Sequence, residues 1–272
     1  LSGFDPQKDA LPMSSLLPLD QWIICQAREV QYFVVAAYEN YQFHQVYHRV
    51  HNFCSGELGG FYLDIIKDRQ YTTPEDSIAR RSVQTSLFHL SEALCRWIAP
   101  ILSFTAEEIS ENLPGLRPDS IFLTEWYDSL PMEIDNPSLS SEFWEKMVLV
   151  RQQVNKALEN QREKGELRGS LDAQVVLYAD ADLAPQLSIL GEELRFVLIT
   201  SEAHVADFDQ APADAMVSDS LPLKIGVSPA PGTKCERCWH RRTDVGTDSV
   251  HPKLCGRCII NIEGSGEVRR FA

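Results

Sequence analysis

Along roughly the first 160 positions, apolar residues recur at three- and four-residue intervals, the period of an amphipathic helix. Within 22–41, Ile23, Ala27, Val30, Val34 and Ala37 mark one such face, with Asp20 standing at the N-cap position. Val46, Val50, Phe53, Leu58, Phe61 and Ile65 mark a second face over about 43–67, weakened in its middle by Gly59-Gly60. Thr73-Pro74-Glu75-Asp76 combines a capping hydroxyl, a proline at the first helical position and early negative charge. It predicts a helix running to about Trp97. A shorter helix is predicted over 105–113, closed by Pro114-Gly115. The stretch 117–139 carries Pro118, Pro131 and Pro137 around a short apolar piece at Ile121 and reads as a loop. Ser141 then caps a long helix to about Glu163. Five helices with short connections predict an antiparallel bundle.

After Gly165 the pattern changes. Residues 173–179, rich in Val, Leu and Tyr, read as a buried strand, 182–191 as a short helix, 194–200 as another strand and 203–208 as one more. Pro212, Pro222, Pro229 and Pro231 mark a loop-rich exit. The predicted fold is mainly α. An antiparallel helical bundle with its lead-in and long connecting helix fills 1–164, a small α+β junction domain 165–231, and a four-cysteine zinc finger 232–272. No internal repeat or low-complexity tract interrupts this order.

Composition narrows the function. Of 272 residues, 44% are apolar and 24% charged, as in ordinary globular proteins. No apolar run is long enough to span a membrane, so no membrane partner is expected. The start, Leu1-Ser2-Gly3-Phe4, has neither an initiator Met nor a signal peptide's regions and reads as a piece of a longer protein. The net charge of -14 argues against a general coat for nucleic acid. The charge is uneven, however. Residues 232–272 hold eight basic and five acidic side chains, a balance of +3 that leaves -17 for the rest. A polyanion has its best local docking place there.

Cys25, Cys54 and Cys95 are isolated in helix-patterned segments, while Cys235-Glu-Arg-Cys238 and Cys255-Gly-Arg-Cys258 form two close pairs. Two such pairs sixteen residues apart can close a tetrahedron around one metal ion. The expected cofactor is one structural Zn²⁺, in a reducing, cytoplasmic setting. The sixteen intervening residues suit a short two-stranded excursion. Arg237, Arg241, Arg242 and Arg257 can offset part of the site's negative charge. A redox dithiol is the competing reading, without a thioredoxin-like context to support it. With four sulfur ligands no position stays open for water, so no catalysis is expected at the metal.

Trp239 either stacks on an unpaired base or covers the zinc site. Arg241, Arg242, Lys253 and Arg257 are candidate phosphate contacts. Arg80 and Arg81 are candidates too, although simple surface charge is the preferred reading for that pair. His44, His48 and His51 share one helical face and read as a solvated or partly packed one rather than as a metal site. No phosphate-binding loop, dinucleotide turn or serine elbow occurs, and Glu107-Glu108 point apart. No catalytic residue is assigned.

Three further stretches carry a resemblance: 61–71 (Phe-Tyr-Leu-Asp-Ile-Ile-Lys-Asp-Arg-Gln-Tyr), 80–85 (Arg-Arg-Ser-Val-Gln-Thr) and 96–106 (Arg-Trp-Ile-Ala-Pro-Ile-Leu-Ser-Phe-Thr-Ala). They resemble the anticodon-binding bundle of the isoleucyl, valyl and leucyl group of class I aminoacyl-tRNA synthetases. Residues 167–180 and 194–208 resemble the small domain that follows it. The ending, with Cys235-Glu-Arg-Cys-Trp-His240 and Leu254-Cys-Gly-Arg-Cys258, is similar to the zinc module of bacterial isoleucyl-tRNA synthetases. The resemblance thus covers nearly the whole chain. It implies the tRNA-reading part of an ATP-dependent isoleucine–tRNA ligase, with Cys235, Cys238, Cys255 and Cys258 as zinc ligands and the anticodon stem and loop of isoleucine tRNA as partner. The His-Ile-Gly-His and Lys-Met-Ser-Lys-Ser signatures of the catalytic domain are absent. The resemblance therefore places ATP and Mg²⁺, together with the editing domain, in parts of the enzyme outside this chain, and the enzyme is expected to be monomeric. Two rival readings are the zinc-finger region of a DNA-repair glycosylase and a non-catalytic zinc-ribbon module that binds protein.

Overall fold

The computed structural model describes residues 1–131 and 136–272, and the chain divides into two compact units. The first comprises 1–70 and 75–141, the second 71–74 and 142–272. Among the described residues no helix is long and apolar enough to cross a membrane. Of the expected loop at 117–139, residues 132–135 lie outside the described part.

The first unit is helical: α1 (Pro18–Glu39), α2 (Phe43–Phe53), a π-helical stretch (Cys54–Tyr62), α3 (Leu63–Thr72), α4 (Ile78–Ile98) and α5 (Ser103–Asn112). Its core gathers the predicted apolar faces. Trp22 meets Phe61 edge-on at 5.5 Å and Phe53 meets Trp97 at 5.9 Å. The Gly59-Gly60 pair does more than weaken its helix. A Cβ on Gly59 would lie 2.6 Å from the carbonyl oxygen of Cys54, so the widened π turn needs a residue without one.

Two expected caps are corrected here. Helix α1 begins at Pro18, with no side-chain cap on Leu17. The Leu17 N–H donates instead to Ser82 Oγ at 2.8 Å. Asp20 lies inside the first turn, 0% exposed, where Arg69 donates to both its oxygens at 2.6 and 2.7 Å and Tyr62 donates at 2.6 Å. Ser82 donates to it as well. This carboxylate joins α1, α3, α4 and the π turn. Helix α4 starts four residues later than predicted. Ser77 Oγ accepts the Arg80 N–H as its cap, while Thr73 is buried upstream. Helix α5 starts at Ser103 rather than Thr105.

In the second unit, α6 (Ser141–Glu163) buries Trp144, Met147, Val150 and Val154. From Glu142 onward this helix belongs to the second compact unit. A four-stranded sheet has the order β2-β1-β4-β3. β1 (Ala173–Ala179) runs parallel to β2 (Glu202–Asp207) and antiparallel to β4 (Leu223–Pro229), with the short β3 (Met216–Val217) at the edge. Between β1 and β2 lie α7 (Leu183–Ser188) and α8 (Leu194–Leu198).

Two expectations fail in this unit. The 194–200 segment is not a strand: its apolar run is wholly buried as α8 and ends on Ile199 in the left-handed region, φ 55°. Periodicity alone cannot separate a short buried helix from a strand. The supposed loop between Pro222 and Pro229 contains β4, paired with β1 from Leu223↔Ala179 to Pro229↔Ala173. Proline at a strand end leaves the interior ladder intact.

Candidate metal centre and nucleic-acid interface

Gly232 opens the cysteine module at φ +86°, where a Cβ would approach the Arg242 backbone to 2.4 Å. That close approach allows β5 (Thr233–Lys234) to pair with β6 (Arg241–Arg242). The hairpin loop between them is the first cysteine knuckle. The Trp239 N–H donates to the Cys235 carbonyl at 3.0 Å and the Cys235 N–H to the His240 carbonyl at 2.9 Å. The second knuckle is the start of α9 (Gly256–Glu263), with Cys255 as N-cap residue. The expected two-stranded excursion between the knuckles is thus corrected: the strands flank the first knuckle.

All four cysteines are buried, and their sulfurs lie within 4.8 Å of one another. Across the knuckles, Cys235 lies 3.7 Å from Cys258 and Cys238 3.7 Å from Cys255, sulfur to sulfur. A Zn–S bond of about 2.3 Å gives a tetrahedral S–S edge of about 3.8 Å. The donor set and its spacing therefore fit tetrahedral Zn²⁺. Without a cation these thiols compete for protons. Hydrogen bonds from Cys255 and Cys258 drive Cys238 far down, and the same thiolate pushes Cys255 up to about 11. A dication lets all four ionise together. Cys255 and Cys258 do sit at a helix start, as a redox pair would, yet each has its sulfur partner in the other knuckle.

The structure brings the candidate RNA contacts together only in part. Trp239 is 60% exposed in a left-handed backbone conformation, φ 66°, with Lys234 Nζ 5.6 Å from its ring centroid. Buried His240 sits behind it, its ring edge-on to Phe196 at 5.7 Å. Arg241 donates from Nε to Asp172 at 2.7 Å, whereas Arg242, half-buried, has no ion-pair partner among the described residues. Lys253 pairs with Glu236 at 2.8 Å on the surface. Arg257 turns inward, with Glu267 at 3.1 Å and the Phe196 ring centroid at 5.1 Å. In the first unit, Arg80 stands 3.9 Å from Glu75 and Arg81 3.2 Å from Asp9. Thus Trp239, Lys234 and Arg242 are the groups best placed to meet a ligand, while Arg241 and Arg257 are engaged within the fold.

Sequence reasoning missed what seats this module. Arg269 lies 3.3 Å over the Phe196 ring, and the Glu193 carboxylate accepts the backbone N–H groups of Arg270, Phe271 and Ala272 at 2.7–3.0 Å. No local pattern around 193–196 signals such a role.

Residues 20–177 match the family described as the anticodon-binding domain of tRNA ligase, and 232–260 match a zinc finger found in FPG and IleRS. Over 272 residues the whole chain is 55% identical to an isoleucine–tRNA ligase of Pseudomonas paraeruginosa. The corresponding figures are 53% for that of Alcanivorax borkumensis and 51% for that of Shewanella amazonensis. It spans 29% of the length of each of these relatives. The finger match alone serves two kinds of protein, and the helical match separates them, against the DNA-repair reading. With well over half its length matched by that helical family, the chain belongs to the anticodon-binding domain family of tRNA ligases.

Proposed function

We propose that this chain is the tRNA-reading portion of a cytoplasmic, monomeric isoleucine–tRNA ligase, holding the anticodon stem and loop of isoleucine tRNA. The observation that supports the reading best is the end-to-end similarity to isoleucine–tRNA ligases, spanning both the helical family and the zinc finger. In this reading ATP and Mg²⁺ act in a catalytic portion outside the chain, and so does editing. The free energy of docking the correct tRNA then serves to position its acceptor end at that distant site. Cys235, Cys238, Cys255 and Cys258 hold one structural Zn²⁺, whose chemistry is to fix the two knuckles and nothing more. The knuckle presents Trp239 to an unpaired base, with Lys234 and Arg242 beside it for phosphates.

The test compares isoleucine tRNA with a version altered only in its anticodon, at one moderate salt concentration. Tighter binding of the unaltered tRNA is expected. Equal binding of the two would overturn anticodon reading by this chain.

A further inference from the structure

Strand β4 has an outer edge that β3 covers only in part. The Asp180 N–H donates to the Pro222 carbonyl at 3.3 Å and the Ala230 N–H to the Asp172 carbonyl at 2.8 Å. In the antiparallel register between these two bonds, Lys224, Gly226 and Ser228 exchange main-chain hydrogen bonds with β1. Leu223, Ile225 and Val227 therefore turn their main-chain groups outward. On that side the Ser218 N–H donates to the Leu223 carbonyl at 2.9 Å, and Met216 stands opposite Ile225. Continuing this register would set Asp214 opposite Val227. The chain is diverted first, by a turn in which the Ala215 N–H donates to the Pro212 carbonyl at 3.1 Å. The outward N–H and C=O of Val227 are left without a partner among the described residues.

A cavity of about 410 Å³ lies along this edge, lined by Val227 and within the size range of ligand sites. One wall is the end of α6 and the residue after it, Lys164; the other is the diverted turn with Asp214. The walls meet where Asn160 Nδ2 lies 3.7 Å from Met216 Sδ. Gly226 keeps the strand slim here, since a Cβ on it would lie 3.2 Å from the Tyr178 ring. Lys164 and Asp214 are exposed, and neither has an ion-pair partner among the described residues.

These groups select the occupant. A main-chain donor and acceptor side by side on a strand edge are the complement of one residue of an extended peptide. One free cation and one free anion favour a peptide that carries both an acidic and a basic side chain. Asp214 opposes a phosphate backbone, and two copies of a chain with net charge -14 repel one another.

We infer that this cavity is a docking site for an extended peptide, which continues β3 along β4 by exchanging main-chain hydrogen bonds with Val227. Lys164 and Asp214 engage its acidic and basic side chains. The inference does not depend on the tRNA-reading proposal.

The experiment follows amide hydrogen exchange in the 272-residue chain by NMR. In the free chain the Val227 amide should exchange faster than those of Gly226 and Ser228, which β1 protects. The probe is the peptide acetyl-Val-Glu-Val-Lys-Val-amide at millimolar concentration. Its control is the same peptide N-methylated on two successive amides, one of which faces β4 in any register. The unmethylated peptide should slow Val227 exchange about tenfold, and the methylated one should leave it unchanged. Lys164→Glu, a change at an exposed position, should weaken binding about threefold. Protection of Val227 in the free chain, or no slowing by the peptide, would overturn the inference. So would equal effects of the two peptides, or slowing confined to the opposite edge strand, β2.

Discussion

Around Trp22, Phe61, Phe53 and Trp97 the helical unit buries large rings in mutual contact, and around Cys235 the cysteine cluster has only Val245 and Leu254 as partly buried apolar neighbours among the described residues. The helical unit also encloses an ion pair, Asp20 with Arg69, whose polar atoms are bonded from three further directions. One region is held by side chains packing on side chains. The other has four sulfurs where a hydrophobic core would be, and in the proposed function it takes its cohesion from a metal ion. The difference teaches that a single chain can join two regions whose stabilities respond to different insults.

The sharpest way to break that comparison is to remove a sulfur ligand. Structural zinc contributes about 10–16 kcal/mol to the folding of small finger modules. Cys238→Ser is expected to abolish stoichiometric zinc and to make 232–272 sensitive to protease, while the helical circular dichroism of the bundle persists. Chelation of the unaltered chain should do the same. Zinc content and limited proteolysis measured on one sample check both halves of the claim. A bundle that melts together with the module would erase the distinction.

The reciprocal change is Asp20→Ala. It leaves Arg69, 1% exposed, without its carboxylate, and breaking a buried pair from one side costs about 3–5 kcal/mol. Urea unfolding followed by helix signal should show that loss, with zinc content unchanged. A cost below about 1 kcal/mol would mean that Tyr62 and Ser82 relax to solvate the guanidinium.

How far these features were legible in the sequence differs between the regions for the same physical reason. Four thiolates at fixed spacing are a local code, so Cys235, Cys238, Cys255 and Cys258 were found by reading along the chain. The buried partnership of Asp20 with Arg69 joins positions 49 apart, and an aspartate before an amphipathic run looks like a cap until its partner is known. Thr73 misled in the same way: its Pro-Glu-Asp sequel is good helix-start chemistry, but Ser77 has the backbone geometry that matters. Strand β4 hid between two prolines because what makes it a strand is its pairing with β1, which no local pattern reports. The exposed face of α2 was half legible: the spacing of His44, His48 and His51 puts them on one side, but that Phe43 and Tyr47 are exposed with them depends on which side of the helix the core occupies.

The smallest expected effect sharpens the comparison through pH. Burial lowers the His89 pKa to about 4, and its Nδ1 lies 2.6 Å from Tyr127 Oη. Tyr127, pushed up to about 12 by burial, remains protonated and able to donate. In the unfolded chain the same imidazole titrates near 6.5. Between those values the unfolded state binds the extra proton, so stability is fully present above about pH 6.5 and is lost as pH falls toward 4. Glu92, the nearby carboxylate, opposes the shift, because its negative charge favours the imidazolium. Burial pushes the Glu92 carboxyl up, yet hydrogen bonds from Arg117 and Arg96 outweigh burial and hold it below its ordinary value. The loss that Glu92 contributes falls mostly below its ordinary value of 4.5, so the interval from pH 6.5 to 4.5 belongs mainly to the histidine. Across it the helical unit should lose about 2 kcal/mol, read by urea unfolding at the two pH values. His89→Gln, which cannot titrate, should flatten that slope whatever its effect on stability at pH 7. An unaltered slope in His89→Gln would place the pH dependence elsewhere in the helical unit.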